Sequence, residues 1–268
     1  MAGAFGVFII VVIILYTRHV TKSERNFSKN FYSADNDLVK YEVEDIQQND
    51  LNLLIQTLRE EFPFYNNWAR EKRLKFAQRT YHVRNSKTFH GMEGFEVTPR
   101  HEIIISATLA RLTFGISQGY VLPKFEMIQI YPREFYSRLI GQHVKGLTIG
   151  NGRLFLSWAH FEDGHNDPQD KIHVGLHEFA HAMMIEFGNF EDLPQWKNWL
   201  KYAVPVMNEV KITDDHFFRS YGATNIYEFW AVAVESFFEQ PANFQRIHPV
   251  LYNVTCKMLN QNPIAEGH

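Results

Sequence analysis

The stretch Val174-Gly175-Leu176-His177-Glu178-Phe179-Ala180-His181-Ala182 decides how this chain is read. It contains His-Glu-x-x-His. On a helix, positions four apart share one face, so His177 and His181 can offer two imidazoles to a single cation. Glu178 lies round the helix, poorly placed to ligate but able to act as general base toward a water held there. Leu176, Phe179, Ala180, Met183, Met184 and Ile185 supply apolar packing. Burying two imidazoles and a carboxylate among them without a cation carries a desolvation cost. The pattern predicts a zinc site on a buried helix. The competing reading is a pair of surface histidines on an amphipathic helix.

A catalytic zinc takes three protein ligands. The chain has one cysteine, Cys256, which excludes both an intrachain disulfide and a cysteine-based site. Downstream candidates for the third ligand are Glu186, Glu191, Asp192, Glu209, Asp214, Asp215, His216, Glu228 and Glu235. Most sit in polar stretches that read as solvated charge. Glu228 instead opens Glu228-Phe229-Trp230-Ala231-Val232-Ala233-Val234-Glu235, an apolar helix in which a carboxylate needs a cationic partner. Its alternative role is a first-turn carboxylate facing the helix dipole. Glu235 follows seven residues later, nearly two turns, on the same side. It can accept a ring N–H from a liganding histidine, or form a buried salt bridge with an arginine. No histidine follows His181 at the spacing of metzincins, so a glutamate ligand is favoured.

Outward from this motif, helices are expected from Ile172 to about Phe187 and from Tyr227 to about Glu239, with Gly188 and Pro241 as stops. Leu147-Thr148-Ile149 and Arg153 to Trp158 flank Gly150-Asn151-Gly152, a hairpin signal. Glu126 to Tyr131 reads as a strand ended by Pro132. Leu51, Leu54, Ile55 and Leu58 mark a helix with Asp50 as its cap, and a second covers roughly Trp68 to Tyr81. Thr98-Pro99 opens a third, which stops near Gly115. The layout is α+β, mostly helical with a small central sheet.

Residues 1–17 carry no charged side chain, and Phe5 to Tyr16 is almost wholly apolar. As a helix they span roughly 26 Å, close to the hydrocarbon core of a bilayer. No basic residue precedes the run and no small-x-small cleavage site follows, so an N-terminal membrane anchor is expected rather than a signal peptide. Arg18, Lys22, Arg25 and Lys29 follow it, which by the positive-inside rule places the rest of this single-pass chain in the cytoplasm. Residues 18–45 read as a juxtamembrane linker and 46–268 as one folded domain. A net charge of −3 argues against a nucleic-acid partner.

The motif resembles the Mlc titration factor A family of zinc peptidases. The likeness rests on His177-Glu178-Phe179-Ala180-His181, on the run from Tyr221 to Ala231, and on Glu235-Ser236-Phe237-Phe238-Glu239-Gln240-Pro241. Gly94 to Thr98, Ile130 to Phe135 and Leu154 to Trp158 fit the same pattern in the same order, so the likeness covers roughly residues 50–260. It implies a zincin-like peptidase domain, zinc held by His177, His181 and Glu228, Glu178 as general base and Tyr221 as a catalytic tyrosine. A similar pairing of Tyr and Glu occurs in lethal-factor-like zinc peptidases. The family often continues its motif with x-Leu-Asp. Here Ala182-Met183-Met184 stand instead, and Glu186 is the candidate to replace that Asp. The soluble family members also lack an anchor.

The expectation is therefore a zinc metallopeptidase acting on peptides or proteins, with the strand from Arg153 to Trp158 able to pair with an extended substrate. The rival is a membrane-anchored binding protein that sequesters a regulatory partner such as a transcriptional regulator, its zinc structural or vestigial.

Overall fold

The computed structural model describes residues 48–188 and 190–265. The expected membrane anchor and the whole of the expected linker lie outside the described residues. No helix among those described is long and apolar enough to cross a membrane.

The chain opens with helices α1 (Gln48–Glu61), α2 (Pro63–Asn67) and α3 (Arg70–Asn85), then strand β1 (Thr88–Gly91) and helix α4 (Pro99–Leu112). Five strands follow: β2 (Met127–Tyr131), β3 (Phe135–Ser137), β4 (Gln142–Val144), β5 (Gly146–Ile149) and β6 (Arg153–Ser157). The rest is helical: α5 (Trp158–Asn166), α6 (Val174–Glu186), α7 (Pro194–Ile212), α8 (Ile226–Glu239), α9 (Pro241–Ile247) and α10 (Pro249–Leu259). A 3₁₀ turn, Ser220–Thr224, precedes α8. The α+β layout with a small mixed sheet is as expected.

The main sheet has the order β1-β2-β6-β5. β1 and β2 run parallel, as do β2 and β6, and β5 returns antiparallel to β6. The β5–β6 turn closes on Gly152, whose φ of +87° suits glycine, and Gly152 N donates to Ile149 O at 3.0 Å. Both edges of β6 are thus taken. The strand expected to accept a substrate is internal, and among the described residues the edge strands of this sheet are β1 and β5, of which β5 lies against α6.

Period-two alternation sends Ile128, Ile130, Leu154 and Leu156 into the core. There α6 packs between the sheet and α8, and also contacts α4. Every residue of α6 is buried, His177, Glu178, His181 and Glu186 included. Trp196 and Trp199 of α7 stack at 4.9 Å, and Trp230 of α8 meets Trp199 edge-on at 5.2 Å. These rings pack α7 against α8.

Two helix starts differ from expectation. Asp50 lies inside the first turn of α1 and pairs with Arg84 at 2.7 Å instead of capping the helix. α6 begins at Val174, with His173 as its N-cap. Thr98 caps α4 as expected, and His101 Nδ1 closes the box by accepting from Thr98 N at 3.1 Å.

Candidate metal centre

His177 and His181 stand one turn apart on α6, with their Nε2 atoms 3.1 Å apart. Glu228 approaches from α8. Its Oε2 lies 3.0 Å from His177 Nε2 and 3.5 Å from His181 Nε2. Asn225 caps α8, its Oδ1 accepting from the backbone N–H of Tyr227 and of Glu228 at 2.9 and 3.1 Å. That cap fixes where the first turn begins, and so where Glu228 points. One donor atom from each of the three residues falls within 4.8 Å of the others, and all three residues are buried. Among the described residues this is the one such group that could hold a metal ion.

The donor set fits a cation. Glu235 Oε1 takes the His177 Nδ1 hydrogen at 2.8 Å, which leaves Nε2 as the ligating nitrogen. A carboxylate oxygen and two imidazole nitrogens then converge with no donor of their own. Glu228 Oε1 and His181 Nδ1 are buried without a hydrogen-bond partner. Without a metal, a proton takes the place of the cation. Burial disfavours a charged His177, yet the hydrogen bonds to Glu228 and Glu235 prevail and push it up to about 10. Burial raises Glu228, but the nearby His181 and the His177 hydrogen bond hold it well below the usual carboxylate range.

Glu235 does both things foreseen for it. Besides His177, its Oε1 accepts from Arg219 Nη2 at 2.5 Å, and its Oε2 accepts from His173 N at 2.7 Å. Arg219 sits two residues before Tyr221, so one guanidinium ties the tyrosine-bearing turn to the carboxylate that orients His177.

Glu178 is buried beside the three donors and bonds to β5 through Thr148, whose Oγ1 donates to Oε2 at 2.7 Å. Burial raises its pKa, partly offset by His177 and His181. Tyr221 places its ring 5.9 Å from that of His177. Burial, followed by the Glu228 and Glu178 charges, raises its pKa and keeps the phenol a hydrogen-bond donor.

All five residues singled out in the sequence meet here. Glu186 does not join them: its Oε2 accepts from Lys124 N at 2.8 Å. Glu191 is engaged elsewhere too, by the Tyr227 hydroxyl. Sequence reasoning missed Thr148, Gly146 and Arg219. Asn225 before Ile226-Tyr227-Glu228 is a readable cap signal, whereas nothing in the sequence pairs Thr148 with Glu178.

The family described as glucose-regulated metallo-peptidase M90 matches residues 41–259. The chain belongs to this family. Relatives agree. An uncharacterised protein of Synechocystis is 25% identical over 236 residues, 77% of this chain and 83% of its own length. Mlc titration factor A of Klebsiella pneumoniae is 25% identical over 216 residues, 71% of this chain and 80% of that protein. Its namesake in Yersinia pestis is 23% identical over 202 residues, 67% and 74% of the two chains. The resemblance to the Mlc titration factor A family is borne out, and the metal-ready group of this M90 member falls inside the matched region.

Proposed function

We propose that this chain is a zinc-dependent peptidase with a zincin-like active site. The observation that carries the reading is the meeting of His177 Nε2, His181 Nε2 and Glu228 Oε2, with the Glu178 carboxylate beside them. These residues would hold a zinc ion, which supplies Lewis acidity, lowering the pKa of water and polarising a carbonyl. Glu178 takes a proton from the attacking water and passes it to the leaving amine. Tyr221 donates a hydrogen bond to the oxygen of the scissile carbonyl as charge develops there. Glu235 holds the His177 tautomer. The free edge of β5 receives an extended peptide by strand addition, which brings the scissile bond past Glu178. Residues 1–17 anchor the chain to a membrane, with the peptidase domain on the cytoplasmic side.

The relatives' name, Mlc titration factor A, supports a second reading, in which the chain captures a partner protein instead. One experiment separates the two. The full-length chain is incubated with an unstructured peptide library beside its Glu178→Gln variant, and metal content is measured for both. Cleavage by the first alone, with equal zinc, is the expected result. Zinc in both and cleavage by neither refutes the peptidase reading and leaves capture.

A further inference from the structure

The edge strand that faces α6 has two features that substrate pairing does not require. Gly146 and Thr148 are two residues apart on β5, so they face the same side of the sheet. Both meet Glu178. Thr148 Oγ1 donates to Glu178 Oε2 at 2.7 Å and also lies 3.0 Å from Glu178 O. The one hydroxyl hydrogen thus lies between the main-chain oxygen and the side-chain end of the same residue, with the shorter contact to Oε2. At Gly146 a β-carbon would stand 2.6 Å from Glu178 Cγ and 2.7 Å from Glu178 Oε1, and also 2.7 Å from Val174 Cγ2. Real β-carbons do not approach that closely, and the Val174 methyl closes the other side. Glycine at 146 leaves the space that Oε1 fills. One carboxylate oxygen is thus held by a hydroxyl, and the other sits where any larger residue would push it away.

We propose that Thr148 and Gly146 are positioning residues for Glu178, the hydroxyl fixing one carboxylate oxygen and the missing side chain leaving the other free to take a proton. This rests on the peptidase reading above. It adds that the strand receiving substrate also sets the rotamer of the base. An unheld glutamate side chain samples several staggered rotamers, and a misplacement of about 1 Å can cost roughly 100-fold in rate.

The test uses the full-length zinc-loaded chain and the variants Thr148→Val, Thr148→Ser and Gly146→Ala. The readouts are zinc content, melting temperature, kcat and KM on a cleaved peptide, and affinity for a peptide hydroxamate, a zinc chelator whose protonated group needs an aligned carboxylate. Thr148→Val is expected to keep its zinc and KM, lose about 10- to 100-fold in kcat and bind the hydroxamate about tenfold more weakly. Thr148→Ser should recover most of both. Gly146→Ala should match or exceed the valine loss at unchanged zinc content. Wild-type kcat and hydroxamate affinity in Thr148→Val would overturn the proposal. So would a serine variant no better than valine, or losses that track loss of zinc or folding. If the wild type cleaves nothing, the peptidase reading falls, and the hydroxamate affinities still decide for or against Thr148.

Discussion

Glu235 Oε1 lies 2.8 Å from His177 Nδ1 and 2.5 Å from Arg219 Nη2, so one buried oxygen serves a ligand histidine and a guanidinium together. The carboxylate is 1% exposed and therefore shielded from solvent screening. Glu235 fixes the His177 tautomer, and partners of this kind commonly govern metal affinity by 10- to 100-fold. Glu235→Gln is expected to weaken zinc binding by about that factor while the fold persists. A chelator competition reads it. Equal zinc affinity in wild type and variant would show that Glu235 only neutralises Arg219.

Tyr221→Phe removes one hydroxyl and no metal ligand. If the phenol bonds the developing oxyanion, kcat should fall about 100- to 1,000-fold with KM and zinc content nearly unchanged. A variant that loses its zinc, or one that only raises KM, would assign Tyr221 to packing or binding instead. Steady-state kinetics with metal analysis separates these outcomes.

His177, Glu178 and His181 were legible because helical geometry alone puts two imidazoles on one face. Glu228 was legible because a carboxylate inside Phe229-Trp230-Ala231-Val232 demands a cation. The β5–β6 hairpin followed from Gly150-Asn151-Gly152. Helix α7 stayed hidden although Trp196, Trp199, Ala203, Met207 and Val210 recur at helical spacing and are buried. Pro205 in its middle reads as a break. Its exposed position, like that of Lys201 one turn earlier, lets water satisfy the carbonyl it frees. The contact of Thr148 with Glu178 depends on which strand lies beside α6, which is decided by sheet order and not by local pattern. The same holds for the internal place of β6.

Glu239 offers a test of buried charge away from the metal ligands. It is buried on α8, and neither carboxylate oxygen has a hydrogen-bond partner. Burial, with the Glu235 and Asp170 charges, pushes it up to about 9, tempered by Arg111 and Arg219. A carboxyl whose folded pKa is raised contributes fully below its unfolded value, near 4.3, and loses that contribution as pH rises toward 9. Glu239→Gln is a neutral mimic. It should stabilise the chain at pH 8 by roughly 1–3 kcal/mol, a few degrees of melting temperature, and the gain should vanish below about pH 4. Equal melting temperatures at pH 8 would mean that the carboxylate is ionised and satisfied.

His177 predicts a pH dependence that metal should abolish. In the metal-free chain its folded value of about 10 lies above the ordinary 6.5. The stabilisation is present in full below pH 6.5 and lost as pH rises through 10. Glu228 works in the opposite sense: held below its ordinary range, it contributes above about pH 4.3 and loses that contribution on acidification. For this pair the metal-free chain should be most stable between about pH 4.3 and 6.5 and soften toward pH 10. Glu239 and Lys87, which burial pushes down to about 8, titrate in the same alkaline window whatever the metal, so the Glu239→Gln background removes one of them and the difference between the metal-free and zinc-loaded curves isolates His177. Zinc takes the place of the proton, so loading should release protons and flatten the His177 slope. Thermal denaturation of the metal-free and zinc-loaded variant from pH 6 to 10 reads both effects. Parallel curves for the two forms would mean that zinc does not bind at His177.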